Sequence, residues 1–157
     1  MKSIRLIWIG KSRESFAKDG VAFYRERLKP YFPVEVIELR GADHSGRDSA
    51  QALKLEGDQL IRQIDDRDYL ILLDERGKQW GSREFSQRLE KRMESEPGPL
   101  TMVLGGAWGV DDRVRERANE TMALSKMTFP HQLVRVILLE QLYRAATLMA
   151  GSGYHHD

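Results

Sequence analysis

The sequence predicts an α/β fold in which a mainly parallel sheet is flanked by helices, and three observations carry that expectation. Strand-like and helix-like segments alternate from one end of the 157 residues to the other, the order that builds βαβ units. The apolar run Tyr69–Leu73 has the length and uniformity of a strand buried on both faces of a parallel sheet. Composition is that of a globular chain, 41% hydrophobic and 31% charged, without repeat, linker or low-complexity segment, so residues 1–157 read as one domain.

Taken in order, Ile4–Ile9 reads as the first strand. Ser12 or Ser15 caps a helix with Phe16, Phe23, Tyr24 and Leu28 as its apolar positions, closed before Pro30 and Pro33. Val34–Leu39 is the second strand. A polar loop from Gly41 to Asp48 leads to a helix through Leu53, Leu60, Ile61 and Ile64. Tyr69–Leu73 is the third strand and Asp74–Gly81 a turn-rich loop. Ser82 then starts a helix with Phe85, Leu89 and Met93 on one face, stopped by Glu96-Pro97-Gly98-Pro99. Leu100–Leu104 is the fourth strand and Gly105–Val110 a loop. Asp111 or Asp112 caps a short helix over Val114–Glu120, and Met122–Leu124 reads as a brief fifth strand. Pro130, which needs no amide donor in a first helical turn, opens a last helix that ends near Gly151.

Several function classes are excluded or disfavoured at this level. The chain has no cysteine, which removes disulfides, thiolate metal sites and a cysteine nucleophile and fits a reducing compartment. No apolar run approaches membrane-spanning length and the N-terminus has no signal-like core, so a cytoplasmic protein without a membrane role is expected. His44, His131, His155 and His156 lack ligand-spaced acidic partners, so no metal is expected. Net charge is +1, too small to mark nucleic-acid binding by itself. Residues 1–40, however, hold nine Lys/Arg against five Asp/Glu, and residues 41–100 ten against thirteen. Lys11, Arg13, Lys18, Arg25, Arg27 and Lys29 are thus either a phosphate-facing patch or a solvated helix face.

Ligands of open parallel sheets sit beyond the carboxyl ends of the strands. Two such ends stand out: Leu73-Asp74-Glu75-Arg76-Gly77-Lys78, and Leu104-Gly105-Gly106-Ala107-Trp108-Gly109. Paired glycines let a backbone approach a ligand closely, or simply make a tight strand-to-helix turn. The chain has neither G-x-x-x-x-G-K-[ST] nor a G-x-G-x-x-G after its first strand, so it is neither a P-loop nor a dinucleotide-binding sequence.

The C-terminal fifty residues say more. Pro130 forces the residues before it to be extended, which leaves Leu124–Phe129 as a loop able to recognise a ligand with its backbone. His131 and Arg135 share one face of the helix start. The helix is apolar nearly all round, its polar strip reduced to Glu140, Arg144 and Thr147. Such a helix is covered on most sides, either in a homodimer or as a central core helix. The chain closes on Gly153-Tyr154-His155-His156-Asp157, an aromatic and two imidazoles that suit base stacking and proton handling, or a frayed end.

In five blocks the sequence resembles the ribosomal RNA large subunit methyltransferase H family of the SPOUT class. The blocks are Leu73-Asp74 with Gly77-Lys78, Gly105-Gly106 with Gly109, Leu124 to His131, Glu140 to Ala145, and Tyr154-His155. The resemblance implies a C-terminal trefoil knot, a rare exception to unknotted topology, and a homodimer. It implies S-adenosyl-L-methionine as cofactor, held by Leu73, Gly105, Leu124, Ser125, Lys126, Met127, Thr128 and Phe129. The implied reaction is methylation of N3 of a pseudouridine in 23S rRNA within the assembled ribosome. The ribosome then presents the base, in keeping with the small net charge. A non-catalytic ribosome-binding protein of the same fold is the alternative.

For that reaction His155 is the expected helper in removing the N3 proton, with Tyr154 beside it, both reaching across from a partner's tail. Arg135 or Arg144 is expected to hold phosphate or the developing uracil anion, against a structural i,i+4 pair of Glu140 with Arg144. The chain departs from the family at Ala107-Trp108 and at its His156-Asp157 ending.

Overall fold

Strands and helices alternate throughout a computed structural model of the chain, which describes residues 2–43, 45 and 49–157. In chain order they are β1 (Ile4–Ile9), α1 (Ser15–Leu28), β2 (Val34–Leu39), α2 (Ser49–Gln63) and β3 (Tyr69–Gln79). Then come α3 (Ser82–Ser95), β4 (Leu100–Leu104), α4 (Asp112–Arg117), β5 (Glu120–Ala123) and α5 (His131–Met149). His44 and part of the expected Gly41–Asp48 loop lie outside the described residues. The strands form one sheet in the order β2-β1-β4-β3-β5, each adjacent pair parallel. The expected α/β class with its parallel sheet is therefore present. Among the described residues no helix is long and apolar enough to cross a membrane.

Period-two alternation distributes the side chains of β1. Ile4, Leu6 and Trp8 join one apolar layer, Ile7 and Ile9 the other. The first layer receives α1, α3 and α5 through Val21, Leu28, Phe85, Leu89, Leu138, Leu139 and Leu142. The second receives α2 and α4 through Leu60 and Val114. Full burial of each such leucine contributes about 2 kcal/mol over an exposed one. These layers hold the strand ends, and hence the site, in fixed relation.

α5 is the middle helix of its layer, packed on α1 and on α3. That position covers much of its apolar girth within the chain: Leu138, Leu139, Leu142, Ala145 and Ala146 are buried. Leu133, Val136, Ile137 and Tyr143 are half-buried. Pro130 stands just before the helix with φ −56° and ψ 136°, and its carbonyl accepts the N–H of Leu133 at 2.9 Å and of Val134 at 3.1 Å.

Expectations are corrected in three places along the chain. The segment after Leu73 is not a turn-rich loop, because β3 runs on to Gln79. Leu73 and Lys78 both pair with Met122, so residues 74–77 bulge out before pairing resumes. In α1, Phe16 and Phe23 are about half exposed; the buried positions are Ala17, Val21 and Leu28. Neither Ser12 nor Ser15 caps that helix, whose N-cap is Glu14. Finally, α4 stops at Arg117, and β5 starts at Glu120 and ends at Ala123, one residue short of the expected Leu124. The side chain of Asn119 explains the early stop: its Oδ1 accepts the Leu70 N–H at 2.8 Å, and its own N–H bonds the Leu70 carbonyl at 2.8 Å.

Candidate active site

The carboxyl ends of β1 and β4 and the bulge of β3 open into one cleft of about 1010 Å³, lined by Trp8, Leu104 and Leu73 from those strands. Two loops close it. One is the glycine loop after β4, the other the stretch between β5 and α5.

The glycine loop is shaped by close contacts. A Cβ on Gly105 would lie 2.6 Å from Val110 Cγ1 and 2.9 Å from the Gly109 carbonyl oxygen, so no side chain fits there. Gly109 has φ +91°, a left-handed conformation that favours glycine. Its N–H donates to the Gly106 carbonyl at 3.0 Å, folding the loop back on itself and leaving Trp108 62% exposed at the rim.

The second loop brings Leu124, Ser125, Met127, Thr128 and Phe129 to the cleft, followed by Pro130 and His131. Ser125 Oγ accepts the Met127 N–H at 2.9 Å, and the Thr128 hydroxyl donates to Glu75 Oε2 at 3.1 Å. The loop is thus tied to the bulge of β3. Leu73 and Gly105 line the same cleft. Lys126 alone of the expected cofactor contacts is not among the lining residues.

The bulge also contributes charge. Burial works against the carboxylate of Asp74, but the Arg76 N–H and the Arg115 guanidinium outweigh it and hold the acid below its usual range. Arg115 Nη1 pairs directly with Asp74 Oδ2. Asp74, Glu75, Arg76, Arg115 and Trp8 are site residues beyond those expected from the sequence. Only the first three left a signal there, as polar residues directly after a buried strand.

Arg135 reaches the cleft but is 1% exposed. Nη2 donates to the Ile9 carbonyl at 2.7 Å and Nη1 to Ser12 Oγ at 3.2 Å. Glu38 Oε2 lies 3.7 Å from Nη1, and the guanidinium sits 5.1 Å from the Trp8 ring centroid. The same Glu38 oxygen accepts the Trp8 indole N–H and the Ser12 N–H, each at 2.9 Å. In this chain Arg135 therefore holds the end of β1 and has little surface left for a phosphate. Partial desolvation, then Arg135 and Arg13, lower the pKa of His131.

Tyr154 and His155 lie elsewhere. Tyr154 meets Tyr143 edge-on with ring centroids 4.8 Å apart and donates to Glu140 Oε1 at 3.2 Å. Arg144 donates to that oxygen at 3.0 Å from Nε, which is the i,i+4 pair foreseen in the sequence. Its Nη1 contacts His155 Nδ1 at 3.1 Å. His155 Nε2 contacts Asp157 Oδ1 at 2.9 Å, and Asp157 is gripped by Arg83 at 2.7 and 2.6 Å. At ~1.5 Å per residue, Arg144 is about 20 Å along α5 from His131 at the cleft. The tail's own chain does not bring it to the cleft. Among the described residues there is no group of three or more His, Asp or Glu able to hold a metal.

Set against known proteins, the chain matches the family described as "Predicted SPOUT methyltransferase" over residues 1–155. It is 45% identical over 154 residues to a Cytophaga hutchinsonii protein named ribosomal RNA large subunit methyltransferase H, covering 98% of this chain and 99% of that one. Proteins of the same name from Trichlorobacter lovleyi and Streptococcus thermophilus are 40% and 38% identical. The first covers 98% of this chain and 99% of its own, the second 97% and 98%. In fold, the chain is similar to a probable methyltransferase from Bordetella pertussis, with TM-score 0.57 and 12% identity over 91% of this chain and 93% of that one. A probable methylase family protein from Haemophilus influenzae superposes with TM-score 0.53 and 11% identity over 98% of this chain and 70% of that one.

Proposed function

Since the chain belongs to the SPOUT methyltransferases, and among them to the ribosomal RNA large subunit methyltransferase H family, we propose that it methylates N3 of a pseudouridine in 23S rRNA on the assembled ribosome, using S-adenosyl-L-methionine. The proposal includes a single domain over residues 1–157, a C-terminal trefoil knot, a homodimer and a cytoplasmic location beside the ribosome.

One observation carries the reading: Leu73, Gly105, Leu124, Ser125, Met127, Thr128 and Phe129 meet in one cleft beyond the strand ends. The cleft suits the cofactor chemically. Leu73, Leu104, Phe129 and Val134 give apolar walls, the glycine loop offers backbone at a point where no Cβ fits, and the volume is that of a small-molecule site. Lys126 sits on the same loop and would act from its outer side. When bound, S-adenosyl-L-methionine supplies an electrophilic methyl group on a sulfonium.

The chain's own task is to orient the base, exclude water and take the N3 proton. Trp8 and Arg135 set the floor of the cleft, so Arg135 works as a positioning residue. The tail comes from a second copy, because each chain holds Tyr154 and His155 at the far end of its own α5. A two-fold pairing of α5 helices carries each tail to the partner's cleft. There His155 accepts the N3 proton once Nδ1 leaves Arg144, and the freed Arg144 faces the uracil anion or a phosphate. Tyr154 packs beside the base.

Nucleoside mass spectrometry of 23S rRNA from cells lacking the gene tests the proposal. Loss of N3-methylpseudouridine, restored by the protein with S-adenosyl-L-methionine in vitro, is expected. Retention of the modification in those cells overturns it.

A further inference from the structure

We propose that a second groove, walled off from the cleft by the Gly105–Gly109 loop, seats a nucleotide that flanks the methylated base. In this arrangement the flanking base stacks on the Trp108 indole, and Lys11 and Arg13 hold its phosphate. The proposal rests on the RNA-methylating reading above and extends it to substrate recognition.

The groove measures about 460 Å³ and shares Gly106, Ala107, Trp108 and His131 with the cleft. A nucleotide in it is therefore next to the one being methylated. Two features far apart in the sequence meet here: the basic start of the chain, as Lys11 and Arg13, and the Trp108 of the glycine loop. Trp108 is 62% exposed on a loop whose backbone is fixed by the Gly106–Gly109 bridge. An exposed indole on a rigid support is a stacking platform that every base can use.

The backbone that carries the two cations is held in place as well. Gln132, at the start of α5, accepts the Arg13 N–H at 2.9 Å and the Glu14 N–H at 3.4 Å. Its side-chain amide donates to the Lys11 carbonyl at 3.2 Å. The segment from Lys11 to Glu14 is thus pinned beside the cleft rather than left to wander. Gly10, with φ +86°, turns the chain from β1 into that segment.

Charge decides what kind of ligand fits. Glu14 and Glu56 line the groove too, and Glu56 accepts the Ala42 N–H at 2.9 Å. Two cations against two carboxylates disfavour a free polyanion. One phosphate at the basic rim, with a base and ribose inward, matches this pattern, and a strand of RNA presents that combination at each residue. His131, which lines the groove, offers its ring nitrogens to a base edge.

The test uses full-length protein and purified ribosomes from cells lacking the modification. Two quantities are measured: the ribosome concentration giving half-maximal methylation, and S-adenosyl-L-methionine affinity by calorimetry. Trp108→Leu should raise the half-maximal ribosome concentration about fivefold to a hundredfold, the range of one base–aromatic stack, with Trp108→Phe recovering most of it. Lys11→Ala with Arg13→Ala should raise it too and flatten its dependence on log salt concentration by about 1 in slope. Cofactor affinity should stay within twofold in the Lys11→Ala, Arg13→Ala variant, whose two residues do not line the cleft. Trp108→Leu methylating ribosomes as the wild type does overturns the groove alone. A wild type without cofactor affinity overturns the methyltransferase reading and the groove with it.

Discussion

Arg144 points Nη1 at Nδ1 of His155 from 3.1 Å, and that contact fixes the imidazole proton. A guanidinium only donates, so Nδ1 is the acceptor and the hydrogen resides on Nε2, directed at Asp157 Oδ1 2.9 Å away. Both ring nitrogens are then committed, and the tail on its own chain is held rather than reactive. Removing residues 154–157 should reduce ribosome methylation at least a thousandfold, since general base assistance is worth about 10²–10⁴ and Tyr154 is lost as well. Calorimetry should show S-adenosyl-L-methionine affinity unchanged, because none of these residues lines its own chain's cleft and the tail's proposed contact is with the base. Full activity in that truncation would end the case for a catalytic tail.

Stability should fall in acid, with Glu38 as one source. Burial favours its protonated form, but the Trp8 indole, the Ser12 N–H and hydroxyl, and the charge of Arg135 outweigh that and lower its pKa from the ordinary 4.5. A folded pKa below the unfolded one means stability that is complete above the unfolded value and lost as pH falls through the folded one. Asp74 and Asp111 are shifted in the same direction, so they add to the same loss. Urea midpoints should therefore drop between about pH 5 and pH 3. Glu38→Gln should start lower at pH 7 and lose less across that interval. Parallel curves for the two proteins would remove Glu38 from the account.

Gly77 should tolerate no side chain. A Cβ there would lie 2.6 Å from both the backbone N and C of Met122, where β3 rejoins β5, and backbone in a sheet cannot swing aside. Gly77→Ala is expected to cost about 2 kcal/mol, as overpacking does, and to lower the melting temperature by about 4–8 °C. Gly81→Ser is the control. Nothing lies within 4 Å of a Cβ at Gly81, and serine suits the N-cap of α3, so stability should move by less than about 0.5 kcal/mol. Equal melting temperatures for Gly77→Ala and wild type would show that the strands separate more easily than this packing allows.

That contact also explains what the sequence hid. The run Asp74-Glu75-Arg76-Gly77 has the composition of a turn, yet it is a bulge within β3. The strand resumes only because Lys78 and Gln79 find Met122 and Ala123 on β5, a pairing that no local pattern announces. In α1 the phenylalanines were read as the inner face, yet Ala17 and Val21 are buried instead. The reason is again a distant neighbour: a Cβ on Gly20 would fall 2.8 Å from Val136 Cγ1, so α1 meets α5 along its small residues. The cleft itself was legible because strand ends and glycine loops are local features. The burial of Arg135 was not legible because its partners, Ile9, Ser12 and Glu38, are more than ninety residues away, and a residue's burial is not written in its own neighbourhood.

If each tail serves the other copy's cleft, two inactive variants should repair each other. One lacks residues 154–157 and keeps its cleft. The other carries Gly105→Leu, which fills the space where even a Cβ lies 2.6 Å from Val110, and keeps its tail. Circular dichroism should confirm that both fold, and calorimetry that only the first binds cofactor. Co-refolded in equal amounts, half of the dimers are mixed, and each mixed dimer owns one intact cleft facing one intact tail. Two-fold symmetry then sets recovered activity at about a quarter of wild type, from components that show none alone. A tail serving its own cleft gives no recovery at any ratio, because no chain in the mixture has both parts.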